Sequence, residues 1–297
     1  MASDHYFSAS PSSAEHLRRI SVTLAGHSGE VTTAGGVFSP DHVDGGTAVL
    51  LSNTPPPPPG GHLLDLGCGY GFFTEKLQGR LHQGAHILGI DLVDRENRRV
   101  FLQTVKDIGY EGEFVRSRAD IIRSMDESSF DMAIASYSLY FFPHLVGAIA
   151  RVLSPEGVFI AVTHSKYSLR EVTSFVPRCM ERMGIVPPGE IMINRLFRAF
   201  SLEEGEEMLS PFFGRVERVI YENDLLFPLD RIGECIDYLD KKKHLIFKEV
   251  MENHPQKVGD MVSYFNDMVF AYAKEHGRIV LTKDDAVFRC FRPRRRG

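Results

Sequence analysis

The stretch Leu63-Leu64-Asp65-Leu66-Gly67-Cys68-Gly69-Tyr70-Gly71-Phe72-Phe73-Thr74 decides the fold. An apolar run over residues 63–66 stops at three alternate glycines, Gly67, Gly69 and Gly71, and gives way to a helix-like stretch over residues 72–81. The predicted order is strand, glycine loop, helix. A turn this tight needs residues free of the Cβ penalty, and it lets backbone N–H groups approach a ligand closely. Asp65 lies inside the apolar run, where an unpaired carboxylate is costly to bury, so it is expected to face a hydrogen-bond donor on that ligand. Counted from Gly67, the dinucleotide fingerprint G-x-G-x-x-G requires a glycine at position 72, where Phe72 stands. A pyrophosphate site is therefore disfavoured. The competing reading is a glycine-rich turn that holds nothing.

Outward from this stretch the pattern alternates strand with helix. Strands are read at 86–90, 113–115, 130–135 and 157–162, which implies an α/β fold with a mainly parallel sheet built from βαβ units. Asp91 follows the second strand, twenty residues past Gly71, and is placed to accept both hydroxyls of a ribose. Asp94 and Glu96 stand close enough to take that role instead, and Asp94 reads equally as an N-cap. After the fourth strand comes Ser136-Tyr137-Ser138-Leu139-Tyr140-Phe141-Phe142-Pro143-His144. The carboxyl end of a central strand faces the ligand crevice, so substrate is expected here, although aromatic residues after a strand serve equally as core. A helix stopped by Pro155, with Gly157 admitting the turn, leads into the fifth strand. His164 and Lys166 lie at its crevice end. Residues 212–221 read as a sixth strand, and residues 278–290 as a hairpin that completes a seven-stranded, Rossmann-like sheet.

The remainder of the chain sets bounds. Its 297 residues, 25% charged and 43% hydrophobic, suffice for a full core in an ordinary globular enzyme. With a formal net charge of −5 and a pI near 6.2, no global positive field recruits nucleic acid. The basic cluster at residues 292–296 reads as a solvated terminus. Four scattered cysteines form no C-x-x-C pair, which points to neither zinc nor a disulfide framework. The N-terminus lacks the apolar region of a leader, and no run of eighteen apolar residues occurs, so the expected location is the cytoplasm, with no membrane partner. Residues 1–59 read as an extension: Ile20, Val22 and Leu24 alternate before a turn at 26–29 and Val31, as in a hairpin. Five prolines at 55–59 then form a stiff spacer. The expected organisation is an extension over 1–59, a core over 60–165, and the rest of the sheet over 166–297 with helical insertions at 166–210 and 228–276. Ile232, Ile236 and Leu239 recur at helical spacing in the second insertion.

Strand, D-x-G-x-G-x-G loop and helix together resemble motif I of the class I S-adenosylmethionine (SAM)-dependent methyltransferases. That resemblance covers residues 36–165 well and the rest weakly. It implies SAM as cofactor, held by Asp65, Gly67, Cys68, Gly69 and Gly71, by Asp91 and Leu92, by Asp120 and Ile121, and by Ser136. Asp120 is the position that matches the acid beside the adenine amino group, and it also reads as a helix cap. The segment "GVFS…D-x-GT…LL" over residues 36–51 resembles the guanine-N2 ribosomal RNA methyltransferases of the small subunit; it reads equally as a loop and helix covering the end of the sheet. Against this, Ser136-Tyr137-Ser138-Leu139 lacks the proline pair of enzymes that methylate base amino groups. "SYSLYFFPH" and the "R-V-L-x-P-x-G" turn resemble instead the ubiquinone- and menaquinone-type small-molecule methyltransferases, in which insertions after strands five and six cap the substrate.

The chemistry implied is in-line transfer of the sulfonium methyl to an oxygen, nitrogen or carbon nucleophile. Such a donor is already activated, so the protein aligns the partners, excludes water and takes a proton where needed. His164 and His144 are the candidate bases, since histidine titrates near neutral pH, with Tyr137 and Tyr140 as orienters. A lone histidine is as often a packed or surface residue. The expected function is methylation of a small molecule in specialised metabolism; RNA methylation and SAM binding without transfer stand as alternatives. The helical segments serve equally to cap a pocket or to form a homodimer, and no metal-ligand spacing is legible.

Overall fold

The computed structural model describes residues 18–24, 27–33, 53–54, 61–69, 71, 84–92 and 95–295, and for the two N-terminal strands and residues 95–97 it describes the backbone only. The helix read at 72–81, the segment at 36–51, the proline spacer and Asp94 lie outside the described residues, as does the side chain of Glu96. The strands are β1 Arg18–Leu24, β2 His27–Thr33, β3 His62–Leu66, β4 His86–Asp91, β5 Glu111–Arg116, β6 Phe130–Ser136, β7 Leu153–His164, β8 Phe213–Tyr221, β9 Leu225–Pro228, β10 Arg278–Leu281 and β11 Asp285–Pro293. β1 pairs antiparallel with β2, and the partners Leu24 and His27 leave only residues 25 and 26 between them. The turn read at 26–29 is therefore shifted: residues 27–29 belong to β2.

The chain divides into two compact units, one formed by residues 1–163, 202–221 and 285–297, the other by 164–201 and 222–284. The first holds the seven-stranded sheet, ordered β5-β4-β3-β6-β7-β11-β8. The five strands from β5 to β7 pair in parallel, and β8 runs antiparallel to β11. Strands covered on both faces read as continuous apolar runs, and these do: Leu63, Leu64 and Leu66, then Ile87, Leu88 and Ile90, then residues 132–135 are all buried. From β3 the chain winds outward through β4 to β5, whereas β6 and β7 wind the other way. The order thus reverses between β3 and β6, and a crevice forms at their carboxyl ends.

Helix α1, Arg95–Asp107, lies against β4 and β5 because two glycines let it approach. A Cβ on Gly89 would stand 2.5 Å from Phe101 Cζ and 2.7 Å from Cys68 Sγ, and one on Gly112 would stand 2.6 Å from Val105 Cγ1. Phe101 and Val105 are fully buried. Helix α2, Val146–Val152, ends three residues before Pro155, and β7 starts at once with Leu153. The "R-V-L-x-P-x-G" turn is therefore built into the strand. Phe130 pairs with Leu153 and Met132 with Val158, so residues 154–157 bulge out of the ladder. Gly157 permits the bulge, since a Cβ there would meet the Ser154 carbonyl at 2.8 Å.

The second unit is mainly helical around a two-stranded sheet of β9 and β10. Its longest helix, Val258–His276, buries Met261, Phe265, Val269 and Ala273 and ends at Gly277, whose φ of +72° supplies the left-handed C-cap. The hairpin read over 278–290 does not form. β10 pairs with β9, and β11 pairs with β8 in the large sheet. Local alternation marks both strands but carries no information about partners, and residues 282–284 are held by other groups. Thr282 donates through its amide and hydroxyl to Glu171, at 3.1 and 2.7 Å, and its carbonyl accepts the Leu169 amide.

Candidate functional site

Within the first unit, the carboxyl edge of β3, β4 and β6 gathers a dense set of buried polar contacts. Asp65, in β3 between Gly89 of β4 and Ile134 of β6, is 2% exposed. The glycine loop follows, with φ of +74° at Gly67, +55° at Gly69 and +88° at Gly71. Side chains rarely adopt this region, so alternate glycines are what lets the chain turn here. The loop is stitched to β4. Gly67 N–H donates to the Ile90 carbonyl at 2.8 Å, and Gly69 N–H donates to Asp91 Oδ2 at 2.8 Å. Asp91 Oδ1 accepts the Leu92 amide at 2.6 Å. Asp91 is 8% exposed, so its carboxylate is part of a buried scaffold at the strand end.

Cys68 belongs to the same scaffold. Its thiol is pushed up first by burial, then by the nearby Asp65 and Asp91 carboxylates, and is therefore the neutral, unreactive form at neutral pH. Leu92 is 46% exposed at the mouth of the loop, and its carbonyl accepts from Arg116 Nε at 3.4 Å. Among the described residues, a Cβ at Gly69 would meet nothing within 4 Å. A buried acid pair and a three-glycine cradle suit a cofactor with ribose hydroxyls and a compact polar tail. These residues fit SAM.

β6 ends in Ser136, and Tyr137 then adopts φ +50°, unusual for a bulky side chain. Three ties hold the turn: Tyr137 N–H donates to the Val162 carbonyl at 3.1 Å, its phenol donates to Asp285 Oδ2 at 3.0 Å, and Ser138 Oγ donates to the Leu66 carbonyl at 2.6 Å. Ser138 and Asp285 are both buried. Neither was singled out by the sequence reading. The signal that marked Asp65, an acid inside an apolar run, is absent at Asp285, which follows Lys283 and Asp284 and only precedes the apolar residues 286–288. Tyr140 is buried and packs on the half-exposed Phe141, ring centroids 4.7 Å apart.

Asp120 and His144 are brought together, but with each other. His144 Nε2 stands 3.1 Å from Asp120 Oδ1, with the side chains 55% and 51% exposed, and Arg123 Nε lies 3.7 Å from the same oxygen. The His144 hydrogen bond holds the Asp120 carboxyl below its ordinary value. Ile121 is half-buried beside it. His164 falls in the second unit, where its buried ring packs edge-on against Phe197, centroids 5.1 Å apart. Among the described residues, no three His, Cys, Asp or Glu side chains could hold a metal ion, and no helix is long and apolar enough to cross a membrane.

Residues 28–175 match the family described as the methyltransferase small domain. Among solved structures, the chain is similar to a candidate methyltransferase from Bacillus halodurans C-125, at 15% identity and a TM-score of 0.50, covering 84% of this chain and 99% of that one. It is also similar to the YcgJ protein of Bacillus subtilis, at 16% identity and TM-score 0.47, covering 84% and 99%. A third is phosphoethanolamine N-methyltransferase 2 of Haemonchus contortus in complex with SAM, at 16% identity and TM-score 0.45, covering 84% of this chain and 52% of that one. No curated protein matches the chain. At 15% identity the likeness to the Bacillus halodurans protein speaks to the fold alone.

Proposed function

From the premise that residues 28–175 form a methyltransferase domain of the class I, SAM-dependent type, we propose that the protein moves the methyl group of SAM to an oxygen, nitrogen or carbon nucleophile of a small molecule. The observation that carries the acceptor class is the turn after β6. Base-amine methyltransferases typically carry a proline pair there, whereas this chain places Tyr137 in a left-handed conformation with its phenol tied to buried Asp285. In this reading Asp91, fixed at the end of β4 by the Gly69 and Leu92 amides, accepts the ribose hydroxyls, and Asp65 receives a donor from the amino-acid end. Gly67, Gly69 and Gly71 give the backbone its close approach, with Cys68 as an inert filler beneath. Ser136 and Leu92 line the donor, and Asp120 with Ile121 flank its adenine, Asp120 being oriented there by His144.

SAM supplies an electrophilic methyl and a good leaving group, so the residues contribute alignment and exclusion of water. The first residue proposed to meet the acceptor is Tyr137. His144, engaged with Asp120, and His164, packed on Phe197, remain the candidates for proton removal. The helical second unit is proposed to select among acceptors. Incubation with methyl-labelled SAM and either a small-metabolite extract or total RNA tests the reading. Label in the small-molecule pool is expected; label in RNA alone overturns it, and no label despite tight SAM binding points to a binding module.

A further inference from the structure

The phenol of Tyr137 and the carboxylate of Asp285 stand 148 positions apart in sequence and 3.0 Å apart in the fold. Asp285 opens β11 and pairs with Tyr221, the last residue of β8, so it lies at the end of the large sheet where Tyr137 leaves β6. At 1% exposure it sits where a charge is costly unless its hydrogen bonds serve a purpose. Tyr137 carries the opposite sign of a special role. Its φ of +50° is a strained choice for an aromatic residue, held by an amide bond to β7 on one side and by the neighbouring Ser138 hydroxyl on β3 on the other. Such strain at a strand end marks a side chain that the fold aims.

We infer that Asp285 is a positioning residue for methyl transfer: by accepting the phenolic hydrogen of Tyr137 it turns the lone pairs of the phenol oxygen toward the crevice. The inference rests on the reading of the protein as a small-molecule methyltransferase and narrows it. An oxygen whose hydrogen is committed to Asp285 can only accept, so the acceptor it aligns carries an N–H or O–H at or beside the nucleophilic atom. An amine or hydroxyl compound fits, and a carbon nucleophile without such a donor does not. As the methyl passes to the acceptor nitrogen or oxygen, the carbon–sulfur bond breaks with its electron pair left on sulfur, and the displaced N–H or O–H proton goes to the base, for which His144 and His164 are the candidates. Asp285 stays a carboxylate throughout.

The test uses the full chain, methyl-labelled SAM and a small-metabolite extract, with initial rates at saturating SAM and SAM affinity by titration. Tyr137→Phe and Asp285→Leu are each expected to lower the transfer rate about thirtyfold while changing SAM affinity less than about twofold, since they remove alignment and leave the donor site intact. The double variant loses no more than either single one, because both break one contact. Asp285→Asn, whose side-chain oxygen still accepts the phenolic hydrogen, retains at least about a third of the rate. Mass spectrometry of the labelled products finds the methyl on nitrogen or oxygen. Transfer at the wild-type rate in both single variants, additive losses in the double variant, or methylation at carbon overturns the inference while leaving the activity standing. A wild type that labels no small molecule removes the activity itself, and the inference with it.

Discussion

Two acids were expected to hold the same cofactor, and the fold treats them oppositely. Asp91 is 8% exposed, with both carboxylate oxygens accepting backbone amides, one from its own strand end and one from the glycine loop. Asp120 is half exposed and spends its oxygen on His144 and Arg123, side chains that are themselves more than half exposed. Removing a buried carboxylate strands the Gly69 and Leu92 amides and loosens the loop, whereas removing an exposed one leaves water to take over. The lesson concerns position as much as chemistry: the acid at the strand end is part of the scaffold, and the acid on the short helical turn is an adjustable neighbour.

The largest expected effect is therefore at Asp91. Asp91→Ala should cut the thermal stabilisation by SAM to that of a site about a hundredfold weaker, and it should lower the melting temperature of the unliganded protein as well, since a buried donor left without a partner costs about 1–3 kcal/mol. If melting is unchanged and SAM still protects fully, the scaffold role is broken. Next comes Gly89→Ala, which touches no ligand. Its Cβ would be driven into Phe101 and Cys68, with a loss of about 1–3 kcal/mol in denaturant unfolding, and a stability equal to wild type would mean the helix yields.

Asp120 sits lower on the scale. Asp120→Ala should change SAM affinity by less than about threefold. Its carboxyl is held below the ordinary value in the folded state, so its contribution to stability is present above the ordinary carboxylate range and is lost as pH falls through the folded value. Melting curves of wild type and Asp120→Asn should therefore differ slightly near neutral pH and converge only as pH falls below the ordinary carboxylate range and through the lowered folded value. The smallest effect involves the thiols. Burial pushes Cys179 up to about 11 and Cys235 up to about 12. A raised folded value favours the protonated thiol, so this contribution is complete below the ordinary thiol value near 9 and fades as pH climbs through 11 and 12. Stability should decline across that alkaline window, and less so in Cys235→Ala relative to its own value at pH 8.

Much of this arrangement was legible in the sequence, for a definite reason. Asp65, Gly67, Gly69, Gly71 and Asp91 lie on two strands adjacent in sequence, β3 and β4, and the loop after the first, where spacing along the chain translates directly into spacing in the fold. The strands of the parallel run announce themselves because burial on both faces demands unbroken apolar runs. What the sequence hid was every contact that depends on which strand lies beside which. Tyr137 meets Asp285 only because β11 inserts between β7 and β8, and the same insertion is why residues 278–290 are two strands of two sheets and not a hairpin. The Pro155 turn was read correctly in kind but misplaced, since the chain absorbs it as a bulge in β7. His144 was nominated as a base from its residue type alone, and a residue type cannot reveal that its nearest partner is another nominated residue.

Isothermal titration of SAM into wild type, Asp91→Ala and Asp120→Ala tests the contrast most directly. The predicted result is clear heat in wild type, affinity about a hundredfold weaker in Asp91→Ala, and affinity within about threefold of wild type in Asp120→Ala. No heat in wild type, or equal losses in the two variants, would contradict it.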